Sequence, residues 1–160
     1  MEENKRKKKM MVAIDESECS YYALQWALEN LGDTLSASAS HLFIFNAQPL
    51  PNLAYLSAST YGVTPLDLIK TLQENQNNFS LALLEKAKDI CSNHGVKAET
   101  MTEVGDPKER ICEAVERLDI QLLILGSNGR GALQRAFLGS VSNYCVHNAK
   151  CPVLVVRKSA

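Results

Sequence analysis

The stretch GSNGRGALQRAFLGS, residues 126 to 140, follows the apolar run IQLLIL and places four glycines among serine and arginine residues. A chain that leaves a buried strand through residues without a Cβ presents its own N–H groups, which are obligatory donors that an anion can satisfy. Gly139, Ser140, Val141 and Ser142 fall where a helix should begin, so free N–H groups, two hydroxyls and a helix dipole would converge on one anion. The chemistry is that of a phosphate site made largely of backbone. The plainer alternative is that Gly126 and Gly129 are tight-turn residues and nothing more.

Two phosphate-binding fingerprints fail on this stretch. Gly126 and Gly131 have the spacing of a P-loop, but Ala132 and Leu133 stand where a Lys and a hydroxyl are needed. The dinucleotide pattern begins at Gly129 and Gly131 and meets Gln134 at its third glycine, and the exit of the first strand, DESE, has no glycine. The S-G-G-x-D-S loop of ATP pyrophosphatases is absent there too. What remains is Gly126, two residues, Gly129, nine residues, then Gly139 and Ser140.

These residues need elements to hold them. MMVAI, Met10 to Ile14, reads as a strand buried on both faces that ends at Asp15. Leu24, Ala27, Leu28 and Leu31 recur at helical spacing, with Gly32 as the stop. HLFIFNA is a second strand, followed by the long Pro-, Ser- and Thr-rich stretch 48–65, a length that suits a lid or a docking loop. Thr64 and Pro65 cap and open a helix that QENQNN interrupts, with Phe79, Ala82, Leu83, Ala87 and Ile90 resuming the period and Gly95 ending it. VKAETMTEV alternates like a half-buried strand. GDPKE supplies Asp106 as N-cap, Pro107 at the first helical position and Glu109 for a capping box. IQLLIL is the fourth strand, 139–149 the fourth helical region and PVLVVR the fifth strand.

Strands alternating with helices predict an α/β fold, a single open five-stranded parallel sheet with helices on both faces. With the strand order 3-2-1-4-5, the crevice beyond the strand C-terminal ends lies between the first and fourth strands, and Asp15 faces Gly126.

At 160 residues and 46% hydrophobic content, one domain over 10–158 is expected, behind a basic flexible tail, 1–9. Five of the 17 basic residues and two of the 18 acidic ones lie in that tail, so the body is net acidic, which disfavours nucleic acid as a partner. KRKKK reads as a solvated tail, with a nuclear address or an anionic-membrane tether as the alternatives. No apolar run fits a signal peptide or membrane span, and five cysteines without a C-x-x-C pair fit a reducing, cytoplasmic compartment. Cys145 and Cys151 read as small buried apolar groups, and His41, His94 and His147 are too scattered for a metal site.

The three-glycine spacing, the VAIDES start, GDP before the third helix and GSVSNYCVHNAKCPVLVV to the end, the last a close match to plant members, resemble the universal stress protein family over almost the whole chain. The resemblance implies a bound adenine nucleotide, ATP or AMP, and a sensor or adaptor acting on protein clients, with slow ATP hydrolysis or a nucleotide-independent chaperone or scaffold role as alternatives. No catalytic residue is assigned. The implied contacts are Ala13, Ile14 and Phe45 to Ala47 at the adenine, and Gly126, Asn128, Gly129, Arg130, Gly139, Ser140, Val141 and Ser142 around the phosphates. Asp15 would accept from a ribose hydroxyl or help hold Mg or Mn with ATP; its alternative is to cap the first helix. Arg130 and Arg135 are alternatively solvated loop residues. The last strand, with Val153, Leu154, Val155 and Val156, is apolar on both faces and is expected to pair with its symmetry mate in a homodimer.

Overall fold

The computed structural model describes residues 7–37, 40–50, 65–127 and 139–158. Five strands, β1 (Lys8–Ala13), β2 (Ser40–Gln48), β3 (Ala98–Val104), β4 (Leu122–Ser127) and β5 (Val153–Arg157), form one sheet in the order β3-β2-β1-β4-β5. All four pairings are parallel; Met10 stands opposite Leu42 on one side and Leu122 on the other. Parallel neighbours need crossovers, and helices α1 (Glu18–Asn30), α2 (Gly32–Ser36), α3 (Pro65–Asn93), α4 (Pro107–Arg117) and α5 (Ser140–Asn148) supply them.

The central strands are apolar without alternation because both faces are covered. Val12, Ile14, Ile44 and Ile124 pack with Leu24, Leu28, Leu84 and Cys91 of α1 and α3. Met11, Phe43, Leu123 and Leu125 face Ile111, Val115 and Cys145 of α4 and α5. Successive residues of a strand point to opposite faces, so one run feeds two cores.

Four local readings change. β1 starts at Lys8, two residues before the expected strand, because Lys8 and Lys9 pair with Ser40 and His41, and Gln121 N–H closes on the Lys9 carbonyl at 2.8 Å. Gly32 opens the short α2 rather than only ending α1, which Leu31 caps. α3 runs unbroken through QENQNN. Asp106 is the N-cap of α4, as expected, but makes no side-chain cap bond; its carboxylate lies 3.6 Å from the Lys108 ammonium, so no capping box forms. Gly95, at φ +73°, adopts the left-handed conformation that ends α3, as its type suggested. Thr64 and most of the 48–65 stretch lie outside the described residues. Among the described residues, no helix is long and apolar enough to cross a membrane.

Candidate functional site

The exit of β1 is held from three sides. Ile14 N–H donates to the Phe45 carbonyl at 2.8 Å, and the Ile14 carbonyl accepts from Asn46 Nδ2 at 2.9 Å. Asp15 N–H donates to Ser20 Oγ at 3.1 Å, and that hydroxyl lies 3.0 Å from the Asp15 and Ser17 carbonyls. The N-cap of α1 is Ser17, whose Oγ accepts from Ser20 N–H at 3.3 Å. Asp15 is therefore not the cap. Its Oδ1 accepts from the Ser17 N–H at 2.8 Å and from the Ser17 hydroxyl, orienting the capping residue while the carboxylate stays exposed. Burial, and then the nearby Asp15 charge, push the Tyr21 phenol above its usual pKa.

Across the crevice, β4 ends at Gly126 and Ser127, and α5 begins after Gly139. The first bond of α5 runs from Asn143 N–H to the Gly139 carbonyl at 2.8 Å, so the amides of Ser140, Val141 and Ser142 have no partner within the helix. Gly139 makes no side-chain cap bond, which leaves this end to its backbone donors. The two serines differ. Ser140 is exposed, whereas the buried Ser142 hydroxyl donates to the Gly126 carbonyl at 3.1 Å and ties α5 to β4.

Between these walls lies a cleft of about 140 Å³. It gathers Ala13, Ile14, Asp15, Phe45, Gly126, Val141 and Ser142 of the expected set, together with Ala47. Gly139 and Ser140 stand beside it without lining it, and Asn128, Gly129 and Arg130 lie outside the described residues. Ser17, Ser20, Pro107, Ile111 and Leu125 also line the cleft and were not among the residues expected at the site. The GDP preceding α4 was the available signal for Pro107 and Ile111.

Among the described residues the walls are mostly apolar, with one carboxylate at the rim and, opposite, amides that have no partner within α5. That donor set suits a ligand with a flat apolar part, hydroxyls and an anionic end. The volume is below the roughly 300–1,000 Å³ of complete small-molecule sites, so the described cleft seats only part of such a ligand. A nucleotide fits these residues in that sense. A divalent cation fits only with help, because among the described residues no group of three His, Cys, Asp or Glu side chains could hold one; Asp15 would need ligand phosphates beside it. A larger cavity of about 470 Å³, bounded by Met10, Leu31, Leu122 and Pro152, opens at the other end of the strands, away from the strand exits and the start of α5.

The chain is a doubly wound α/β domain with a helix N-terminus and a strand-end carboxylate facing each other where the strand order reverses, the place where folds of this class bind ligands. The universal stress protein family model matches residues 7–157, and the chain belongs to this family. The chain is similar to a universal stress protein A-like protein from Arabidopsis thaliana, 30% identical over 161 residues that cover 95% of this chain and 91% of the relative. It is also 32% identical to universal stress protein YxiE from Bacillus subtilis, with 93% and 98% covered. Among solved structures, a universal stress protein family protein from Arabidopsis thaliana with AMP bound superposes with a TM-score of 0.70 at 28% identity, covering 96% of this chain and 93% of that one.

Proposed function

We propose that this protein binds an adenine nucleotide, ATP or AMP, in the cleft between β1 and β4, and acts through its bound state on partner proteins as a stress-responsive sensor or adaptor. The observation that carries the reading is the pairing of the Asp15 exit with the amides of Ser140, Val141 and Ser142, which have no partner within α5, across one crevice. The AMP in the similar Arabidopsis structure supports the ligand class. In this reading Phe45, Ala47 and Ile111 flank the base, Asp15 accepts from the ribose, and the amides at the start of α5 hold phosphate. Gly129, Asn128 and Arg130 are proposed to complete the phosphate side. If Asp15 instead helps hold Mg or Mn with ATP, Asp15→Ala weakens ATP with metal and leaves adenosine binding unchanged.

The proposal includes a homodimer joined through β5 and a cytoplasmic setting. Turnover is not part of it, because there is no P-loop Lys at this site.

The test is to denature freshly isolated protein, identify any released nucleotide, and titrate the emptied protein with ATP, AMP and adenosine by calorimetry. Binding of an adenine nucleotide, weakened for ATP and adenosine alike in Asp15→Ala, is expected. Absence of binding to all three at about 1 mM would leave a nucleotide-independent scaffold, and steady phosphate release above roughly 1 s⁻¹ with Mg²⁺ would make the protein an enzyme instead.

A further inference from the structure

All five cysteines are free thiols, and two of them meet where α4 packs on α5: Cys112 Sγ and Cys145 Sγ lie 3.8 Å apart. Both belong to the apolar cluster on that face of the sheet, with Cys151 beside them. A disulfide needs about 2.05 Å between sulfurs, a closure of about 1.8 Å that side-chain rotation and a slight approach of the helices can supply. The partners are unequal in access. Cys112 is half-buried and lines an open cavity of about 390 Å³ between the two helices, whereas Cys145 is 0% exposed.

We propose that Cys112 and Cys145 form a thiol oxidation site at which hydrogen peroxide, entering through this cavity, produces an intrachain disulfide between α4 and α5. The Cys112 thiolate attacks one peroxide oxygen; the O–O bond breaks, an S–O bond forms, and the leaving oxygen departs as water after taking a proton. Cys145 then attacks the Cys112 sulfur. The S–S bond forms as the S–O bond breaks, and the hydroxyl leaves as a second water with the Cys145 proton. Two thiols and one hydrogen peroxide molecule thus yield one disulfide and two waters, the sulfurs losing the two electrons that the peroxide gains.

Electrostatics support this order of attack. Burial pushes both thiols up, but the hydrogen bond between the sulfurs lowers Cys112 and raises Cys145, so Cys112 is the member more readily ionised. Burial holds the Cys112 pKa above its usual value, and Glu109, Glu113, Glu116 and Lys150 line the same cavity, so the reaction accelerates with rising pH as the thiolate fraction grows. The bond would also lie on the helices that wall the cleft, since Ile111 precedes Cys112 and Ser142 is one turn before Cys145. The site itself does not depend on any nucleotide.

The sequence makes the test direct. Tryptic cleavage after Arg110, Arg117, Arg135, Lys150 and Arg157 puts Cys112 in peptide 111–117, Cys145 in 136–150 and Cys151 in 151–157. Native full-length protein is treated with hydrogen peroxide at about one equivalent near pH 8, its remaining thiols are alkylated under denaturing conditions, and the digest is weighed. A linked 111–117/136–150 species that disappears on reduction is expected, together with peroxide consumption at Cys145 at least about tenfold slower in Cys112→Ala. In Cys145→Ala, a sulfenic acid at Cys112 should be captured by dimedone. Linkage of Cys112 mainly to Cys151, or thiols as fully alkylated as in untreated protein, would overturn the proposal without any variant. Unchanged oxidation of Cys145 in folded Cys112→Ala would overturn the order of attack.

Discussion

A methyl group at residue 126 would sit 2.3 Å from the Cys19 carbonyl oxygen and 2.6 Å from its carbon, so the first turn of α1 crosses β4 where only glycine leaves room. The atoms in the way are backbone, which cannot swing aside. Gly126→Ala should therefore cost about 1–3 kcal/mol through overpacking and lower the melting temperature by roughly 2–4 °C for each kcal/mol in a chain of this size. A thermal melt followed by circular dichroism checks this, and an unchanged midpoint would show that α1 yields. The sequence marked Gly126 as a place where a ligand needs open backbone, and the residue does line the cleft. Its closest neighbour, however, is α1, because the crossing of a helix over a strand is a tertiary fact that no spacing of glycines records. The same limit applies to Ser142, whose hydroxyl was expected to face an anion and instead donates to the Gly126 carbonyl. Asp15 was legible as a strand-end carboxylate, but the identity of the true cap, Ser17, depended on where the backbone turned.

Within the elements, α3 shows why a polar interruption need not break a helix. Its stretch QENQNN breaks the apolar period, yet Asn77 Oδ1 accepts from Gln48 Nε2 at 3.1 Å, and the same amide donates to Thr102 Oγ1 at 3.1 Å. Gln48 is a buried polar residue at the end of β2, so it needs partners from both sides, and the helix supplies one. Thr102 Oγ1 also lies 3.3 Å from Asn46 Oδ1, which carries the network to the Ile14 carbonyl at the cleft. The core-facing stripe of α3 is consequently Ser80, Leu83, Leu84, Ala87 and Cys91, while Phe79, expected inside, is 56% exposed. Asn77→Leu should remove one partner from Gln48 and cost about 0.5–1.5 kcal/mol, read as a lower urea midpoint at unchanged slope. A double-mutant cycle with Gln48→Leu isolates the pair; additive losses would mean that the contact contributes nothing. The strands and the longer helices were legible because continuous apolar runs and helical periods are strong local signals. The five-residue α2 was not, since it is too short to express a period.

Over the whole molecule, the two edges of the sheet differ in a way that bears on assembly. β3 carries Glu99 and Glu103, which pair with His41 and Arg117, and such charges discourage further strand pairing. β5 has no charged residue before Arg157, and Val153, Leu154 and Val155 remain only half-buried. The sheet order itself was legible from the alternation of elements and the usual topology of such folds, whereas the role of an edge depends on a second chain. The Pro152 carbonyl accepts from Leu123 N–H at 3.0 Å, so Pro152 directs its backbone toward β4. Alternate residues of a strand bond to the same neighbour, which puts the Leu154 and Val156 amides on the β4 side and those of Val153 and Val155 on the open edge. Val155→Pro should then remove an outward donor while sparing the β4 ladder, a position where an edge strand tolerates proline. If two chains join through β5, light scattering should report the mass of two chains for the parent and of one for the variant, with the far-ultraviolet spectrum unchanged. A folded Val155→Pro protein that keeps the dimer mass would place the interface elsewhere, and a parent that is already monomeric would remove this edge from consideration as an interface between copies.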